Sequence, residues 1–271
     1  MRKLFDTAAH REQGWRHARE TGRHPEQPDE HLVSLLAPRS FEAEQYRVLG
    51  HVIGQMHKDA DVRVIAVTSP AVGDGKTTTA INLAGTLAQG AHTRVLLIDG
   101  DLRRPSVGTQ FRMLDPDAPG LVDAILKPGV GLADVVQRFP QFNLSIVAAG
   151  RCEENPYEVL KSEQLAEVLR EARAAYDYVV IDTPPLVPLP DCRAIAKWVD
   201  GFAMIVAAHK TPQRLLEEAL GIMEPSKLLG IVFNRNDRPM SDSYGYYGAY
   251  LQPMNGHRAP WWWRGRRGRA A

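Results

Sequence analysis

Six short apolar runs decide most of what this chain can become. They are "VRVIAVTS" (62–69), "RVLLID" (94–99), "LSIVAA" (144–149), "YVVID" (178–182), "FAMIVAA" (202–208) and "LLGIVFN" (228–234). A strand with one face in water alternates apolar and polar residues, whereas a strand buried on both faces does not. These runs hardly alternate. Amphipathic stretches lie between them at 76–90, 120–126, 131–138, 162–175, 191–199 and 212–222. Strands joined through helices make right-handed crossovers, which gives an α/β fold with a mostly parallel sheet covered by helices on both faces. Ligands of such sheets bind in the loops beyond the carboxyl ends of the strands.

Three of those loops carry chemistry. The first is "SPAVGDGKTTTAINLA" (69–84), between a strand and a helix. Its glycines, Gly73 and Gly75, let backbone N–H groups close around phosphate oxygens, and the helix behind them presents its positive end. In this pattern Gly73, Asp74, Gly75, Lys76, Thr77 and Thr78 form the phosphate cradle. Lys76 reaches the outer phosphates, and the Thr77 hydroxyl is a Mg²⁺ ligand. Pro70 stands where the usual first glycine of a P-loop would be, so the loop is of a deviant Walker type. The second loop, "VLLIDGDLRRP", places Asp99 and Asp101 at a strand exit. The third, "YVVIDTPPL", ends four apolar residues on Asp182, a carboxylate placed to hold Mg²⁺ directly or through water. Together the three loops point to a site for Mg²⁺ and ATP or a close analogue.

Charge excludes one class of function. With 33 Lys and Arg against 32 Asp and Glu, the molecule as a whole is not a polyanion binder, and no nucleic-acid partner is expected. Cys152 and Cys192 form no metal-binding pattern and suit a reducing compartment. No stretch is apolar for long enough to serve as a signal peptide or a membrane span, so the expected location is cytoplasmic. Residues 1–38 lack a sustained apolar period and read as a mobile segment. Within it His10, His17, His24 and His31 recur every seven residues, but the Gly and Pro residues between them argue against a shared helical face. Residues 39–240 read as the folded domain. It opens with a leading helix at 39–57, for which Ser40 is the N-cap. Residues 241–271 read as a flexible tail that carries "SDSYGYYGAY" (241–250) and a Trp/Arg-rich end at 261–269.

The pair "LLIDGDLRRP" and "VVIDTPP", behind "TSPAVGDGKTTTAINLA", resembles the bacterial tyrosine kinases of capsule and exopolysaccharide systems. "EAEQYRVL", "GLVDAIL", "NPYEVLKSEQLAEVLREARAAYDYVVIDTPP" and "VFNRND" extend the resemblance over residues from about 40 to 250. The resemblance implies a P-loop NTPase fold and phosphoryl transfer from ATP to protein tyrosines. It implies that Lys76 and Thr77 bind phosphate and Mg²⁺, that Asp101 and Asp182 serve the metal, and that Asp99 takes the proton of an incoming tyrosine. By the same resemblance Asn234 and Arg235 contact the base, and Tyr244, Tyr246, Tyr247 and Tyr250 are autophosphorylated. A transmembrane polysaccharide co-polymerase would supply an activating cytoplasmic segment at the inner face of the membrane, and a tyrosine phosphatase would reverse the reaction. Self-association in the family uses Glu and two Arg at three-residue spacing; Glu44 and Arg47 are present, and Gly50 replaces the second Arg.

Two other functions compete. A nucleotide-switched scaffold of the export complex would need the same loops without transfer. A spatial-positioning ATPase would carry a lysine five residues before Lys76, where this chain has Ala71. The end "APWWWRGRRGRAA" combines interfacial rings with cations and is read either as a contact to an anionic membrane surface or as an ordinary basic tail.

Overall fold

The computed structural model describes residues 28–236, apart from 113 and 116. The chain runs α1 (Val33–Leu36), α2 (Phe41–Ala60), β1 (Val64–Thr68), α3 (Lys76–Leu87), β2 (Val95–Asp99), α4 (Val107–Phe111), α5 (Leu121–Leu126) and α6 (Leu132–Val135). It continues through β3 (Gln137–Phe139), β4 (Leu144–Val147), α7 (Pro156–Lys161), α8 (Glu163–Ala175), β5 (Tyr178–Asp182), α9 (Asp191–Ile195), β6 (Gly201–Ala207), α10 (Gln213–Ile222) and β7 (Leu228–Asn234). The seven strands form one sheet in the order β3-β4-β2-β5-β1-β6-β7. Every pairing is parallel except that of β3 with β4.

Successive residues of each central strand feed opposite cores, which explains why their sequences do not alternate. Val64 and Ala66 of β1 pack with α5 through α10 on one face. Ile65 and Val67 pack with α1 through α4 on the other. In the same way Leu96 and Ile98 of β2 face the first core and Val95 and Leu97 the second. All five residues of each of these strands are buried.

Small residues let α3 sit deep in the second layer. A Cβ on Gly85 would lie 2.6 Å from Leu35 Cδ2, and one on Gly50 of α2 would lie 2.8 Å from Thr86 Cγ2. Gly50 therefore fills a position at the α2–α3 contact where a larger side chain has no room. The neighbouring Glu44 and Arg47 pair with each other, and Arg47 also donates to the Pro38 carbonyl. Ser40 caps α2 as expected, its hydroxyl accepting from the Ala43 N–H.

Three sequence expectations change here. Residues 28–38 are packed onto the body: Leu32 is fully buried, and the Ser34 N–H donates to Asn82 Oδ1 at 2.8 Å. The mobile segment expected to reach residue 38 therefore does not include them. The helix expected at 131–138 stops at Val135, and the chain turns into the edge strand β3. The helices α1, α4 and α7 were not expected at all. His10, His17, His24 and residues 241–271 lie outside the described residues. Among the described residues no helix is long and apolar enough to cross a membrane.

Candidate nucleotide and phosphoryl-transfer site

The strand order places the three loops side by side. β1 carries the glycine loop, and β5 and then β2 are its neighbours on one side. Asp99 and Asp182 are register partners at the tips of β2 and β5, so the two carboxylates stand next to each other.

The glycine loop holds its shape through its own side chains. Gly73 and Gly75 have φ of 85° and 95°, conformations that only glycine adopts cheaply. The Asp74 carboxylate turns inward, accepting from the Ala71 N–H at 3.0 Å and the Thr211 hydroxyl at 2.8 Å. Asn234 Nδ2 donates to the Asp74 carbonyl at 2.9 Å. Asp74 and Asn234, placed by the sequence reading at phosphate and base, thus use their side chains to brace the loop. Arg235, with φ of 57°, lines the cavity beside the loop.

Lys76 and Thr77 open α3 directly above the carboxylates. Lys76 Nζ lies 3.0 Å from Asp101 Oδ2. Burial alone would depress the ammonium, but the charges of Asp182, Asp101 and Asp99 outweigh it and raise its pKa, so Lys76 is a fixed cation. The Thr77 hydroxyl donates to Asp182 Oδ2 at 2.6 Å and lies 2.8 Å from Ser106 Oγ. Thr78 donates to Gln110 Oε1 at 2.8 Å. Burial raises the pKa of Asp182, and proximity to Asp99 adds to that effect.

The two aspartates of "DGD" differ in placement. Asp99 lies beneath the cavity: one oxygen accepts from the Ser106 and Val107 N–H groups, both at 3.0 Å, and the other from the Asp101 N–H at 3.3 Å. Its pKa is raised chiefly by burial, with those N–H groups opposing. Asp101 lines the cavity itself. In this geometry Asp101 is the carboxylate at the cavity wall, while Asp99 holds the loop and the start of α4.

The residues fit a divalent cation. Asp182 Oδ1 is buried and has no hydrogen-bond partner, a costly arrangement that a metal or a metal-bound water would relieve. No group of three or more His, Cys, Asp or Glu among the described residues is arranged to hold a metal. A cation here would take its remaining ligands from Thr77, water and phosphate, as Mg²⁺ commonly does. The whole site opens into a cavity of about 550 Å³.

Sequence reasoning missed four contributors. Ser106 and Gln110 bind the hydroxyls of Thr77 and Thr78, and Thr211 braces Asp74. Arg103 makes a two-pronged ion pair with Asp191, Nε to Oδ2 at 2.6 Å and Nη2 to Oδ1 at 3.0 Å. Only the run "LRRPS" after the acidic pair hinted at any of them.

A family model described as an AAA domain matches residues 62–197. The tyrosine-protein kinase YwqD of Bacillus subtilis is 35% identical over 221 residues, covering 80% of this chain and 91% of that protein. The chain belongs to the bacterial tyrosine kinase family. Its enzyme class is therefore that of a protein-tyrosine kinase. The succinoglycan biosynthesis transport protein ExoP of Rhizobium meliloti is also 35% identical, over 74% of this chain but only 26% of that much longer protein. Among solved structures, the kinase resembles the chimerical protein CapA2B2 with a TM-score of 0.70 and 28% identity, covering 77% of this chain and 91% of that one.

Proposed function

We propose that this kinase transfers the γ-phosphoryl group of ATP to tyrosines of its own C-terminal cluster, and that the modification regulates a polysaccharide polymerisation and export complex. The observation that carries the chemistry is the convergence of Lys76, Thr77, Asp101 and the half-partnered Asp182 on one cavity. Lys76 would exchange Asp101 for the outer phosphates, and the N–H groups of the loop at Gly73–Thr77 would hold the phosphate chain. Thr77, Asp182 and Asp101 would hold Mg²⁺, which when bound neutralises phosphate charge and favours attack at phosphorus. A phenol with a pKa of about 10 is a weak nucleophile near neutrality, so a carboxylate must take its proton as the new oxygen–phosphorus bond forms and ADP departs. Asp101 is the carboxylate at the cavity wall and Asp99 the one below it, and the pair shares that role in the proposal.

The relatives support the wider setting. ExoP carries a matching region inside a chain nearly four times the length covered, under a name that refers to succinoglycan biosynthesis and transport. We infer for this protein a transmembrane co-polymerase whose cytoplasmic segment activates it at the inner face of the membrane, with a phosphatase resetting the tail. Trp261–Trp263 and the neighbouring arginines would add contact to an anionic surface. The Ala71 position, which lacks the lysine of the spatial-positioning ATPases, separates the protein from that reading. Incubation of the purified chain with Mg²⁺ and ATP, followed by anti-phosphotyrosine detection, tests the proposal. Signal from the wild type and none from Lys76→Met supports it. Tight ATP binding without phosphotyrosine, with a co-polymerase segment supplied, favours the nucleotide-switched scaffold instead.

A further inference from the structure

The cavity has a part that phosphates do not need. The sheet order puts the loop ends of β6 and β7, with Arg235, on one side of the glycine loop, and those of β5 and β2 on the other. The phosphate chain is anchored between them by Lys76 and Thr77. On the β5/β2 side the cavity continues along an apolar lip made by Pro185, Pro188 and Leu189, with Asp101 and Arg103 beside it. Pro188 is exposed and Leu189 half-buried, and Val72 of the glycine loop is 64% exposed across the opening. Three apolar side chains left partly open around a charged cavity are poorly explained by water alone.

The lip is also held rigidly. Arg103 grips Asp191, which is 1% exposed, with two hydrogen bonds. This ties the segment that ends in Pro188–Pro190 to the loop that carries Asp101. The lip and the carboxylate therefore keep a fixed relation, as a site that must align an acceptor group requires.

We propose that Pro188 and Leu189, held by the Arg103–Asp191 pair, bind the ring of the accepting tyrosine and direct its hydroxyl to Asp101. The inference rests on the kinase reading above and adds the acceptor subsite to it. The occupant is a tyrosyl side chain because one cavity is lined both by this apolar lip and by the Asp101 carboxylate: a phenol satisfies both, with its ring on Pro188 and Leu189 and its O–H on the acid. A serine or threonine hydroxyl, held close to its backbone, would leave the apolar wall uncovered.

The test uses the full chain with Tyr244, Tyr246, Tyr247 and Tyr250 changed to Phe, so that the peptide SDSYGYYGAY added in trans is the acceptor. Leu189→Ala is expected to raise the peptide KM about tenfold or more, the scale on which lost apolar contact lowers discrimination. Asp191→Asn, which loosens the lip from beneath, is expected to raise it as well. Affinity for a fluorescent ATP analogue should stay within about twofold in both, and Leu189→Met should restore the peptide KM to within about threefold. A wild-type peptide KM in Leu189→Ala overturns the lip while leaving the kinase reading intact. So does an equal loss of nucleotide and peptide affinity, which would mark a general structural defect. If the chain with intact Leu189 binds nucleotide but transfers no phosphate to the peptide even with a co-polymerase segment supplied, the kinase reading fails and the lip with it.

Discussion

Replacing Gly75 with alanine tests the geometry of the phosphate cradle at its tightest point. Gly75 has φ of 95° and ψ of 25°, beyond the usual left-handed region, and a side chain there costs about 1–2 kcal/mol. A Cβ at this position would also lie 2.1 Å from Asn234 Nδ2. Asn234 must then move, giving up its 2.9 Å hydrogen bond to the Asp74 carbonyl, which is worth about 0.5–1.5 kcal/mol. The sum is about 1.5–3.5 kcal/mol. The free loop can relax away from this strain, so global stability falls by less than the sum. A bound triphosphate has to force the loop back, so nucleotide affinity carries the loss, about 10- to 300-fold. Titration with a fluorescent ATP analogue measures it. The double variant Gly75→Ala/Asn234→Ala should lose less than the two single variants combined, because the same hydrogen bond is removed only once. Affinity within threefold of wild type in Gly75→Ala, or strict additivity in the double variant, would show that Gly75 and its contact with Asn234 do not set the shape of the cradle.

Other consequences follow from the same packing and charges. Leu32→Ala should destabilise the protein by about 2–5 kcal/mol in a urea titration, since Leu32 is fully buried; a change below about 0.5 kcal/mol would show that residues 28–38 are not part of the folded unit. Burial pushes the Cys192 thiol up to about 11, so a disulfide reagent at neutral pH should titrate Cys152 in the native protein and both thiols only after denaturation. Burial holds the pKa of Asp182 above the ordinary 3.8, so in the absence of metal the folded state keeps a proton that the unfolded state has released. Stability of the metal-free protein should therefore decline as pH rises from about 4 toward neutrality, and Asp182→Asn should flatten that decline; an unchanged slope in the variant would assign it elsewhere.

Much of this architecture could be read from local pattern. β5 occupies the residues expected of it, and β1, β2, β4 and β6 differ only at their ends, because a strand buried on both faces must be apolar throughout. β7 also occupies its expected residues, although it is an edge strand with Phe233 exposed. The glycine loop, Lys76, Thr77 and the three aspartates were visible because backbone conformation and phosphate chemistry restrict those positions to few residue types. What was missed depends on distant partners. β3 is three residues long, with Arg138 at its centre, and exists only because it pairs with the edge of β4. α1 spans one turn, too short for a period, and is held in place by Leu32 and by Ser34 bonded to Asn82 and Thr86 of α3. The grip of Arg103 on Asp191 spans 88 residues, and no local pattern announces it. The same limit applies to the two aspartates of "DGD". The resemblance assigned Asp101 to the metal and Asp99 to the tyrosine proton, and no local pattern shows that three backbone N–H groups hold Asp99 below the cavity while Asp101 stands at its wall.

Phosphate transfer from ATP to tyrosine in this cavity is measured by mass-spectrometric mapping of the full chain after incubation with Mg²⁺ and ATP, beside Lys76→Met of matched thermal stability. Added phosphate is expected on one or more of Tyr244, Tyr246, Tyr247 and Tyr250 in the wild type, with unmodified tyrosines in the variant. An unmodified wild type that binds ATP and remains unmodified with a co-polymerase segment supplied, or equal modification of the Lys76→Met chain, would contradict it.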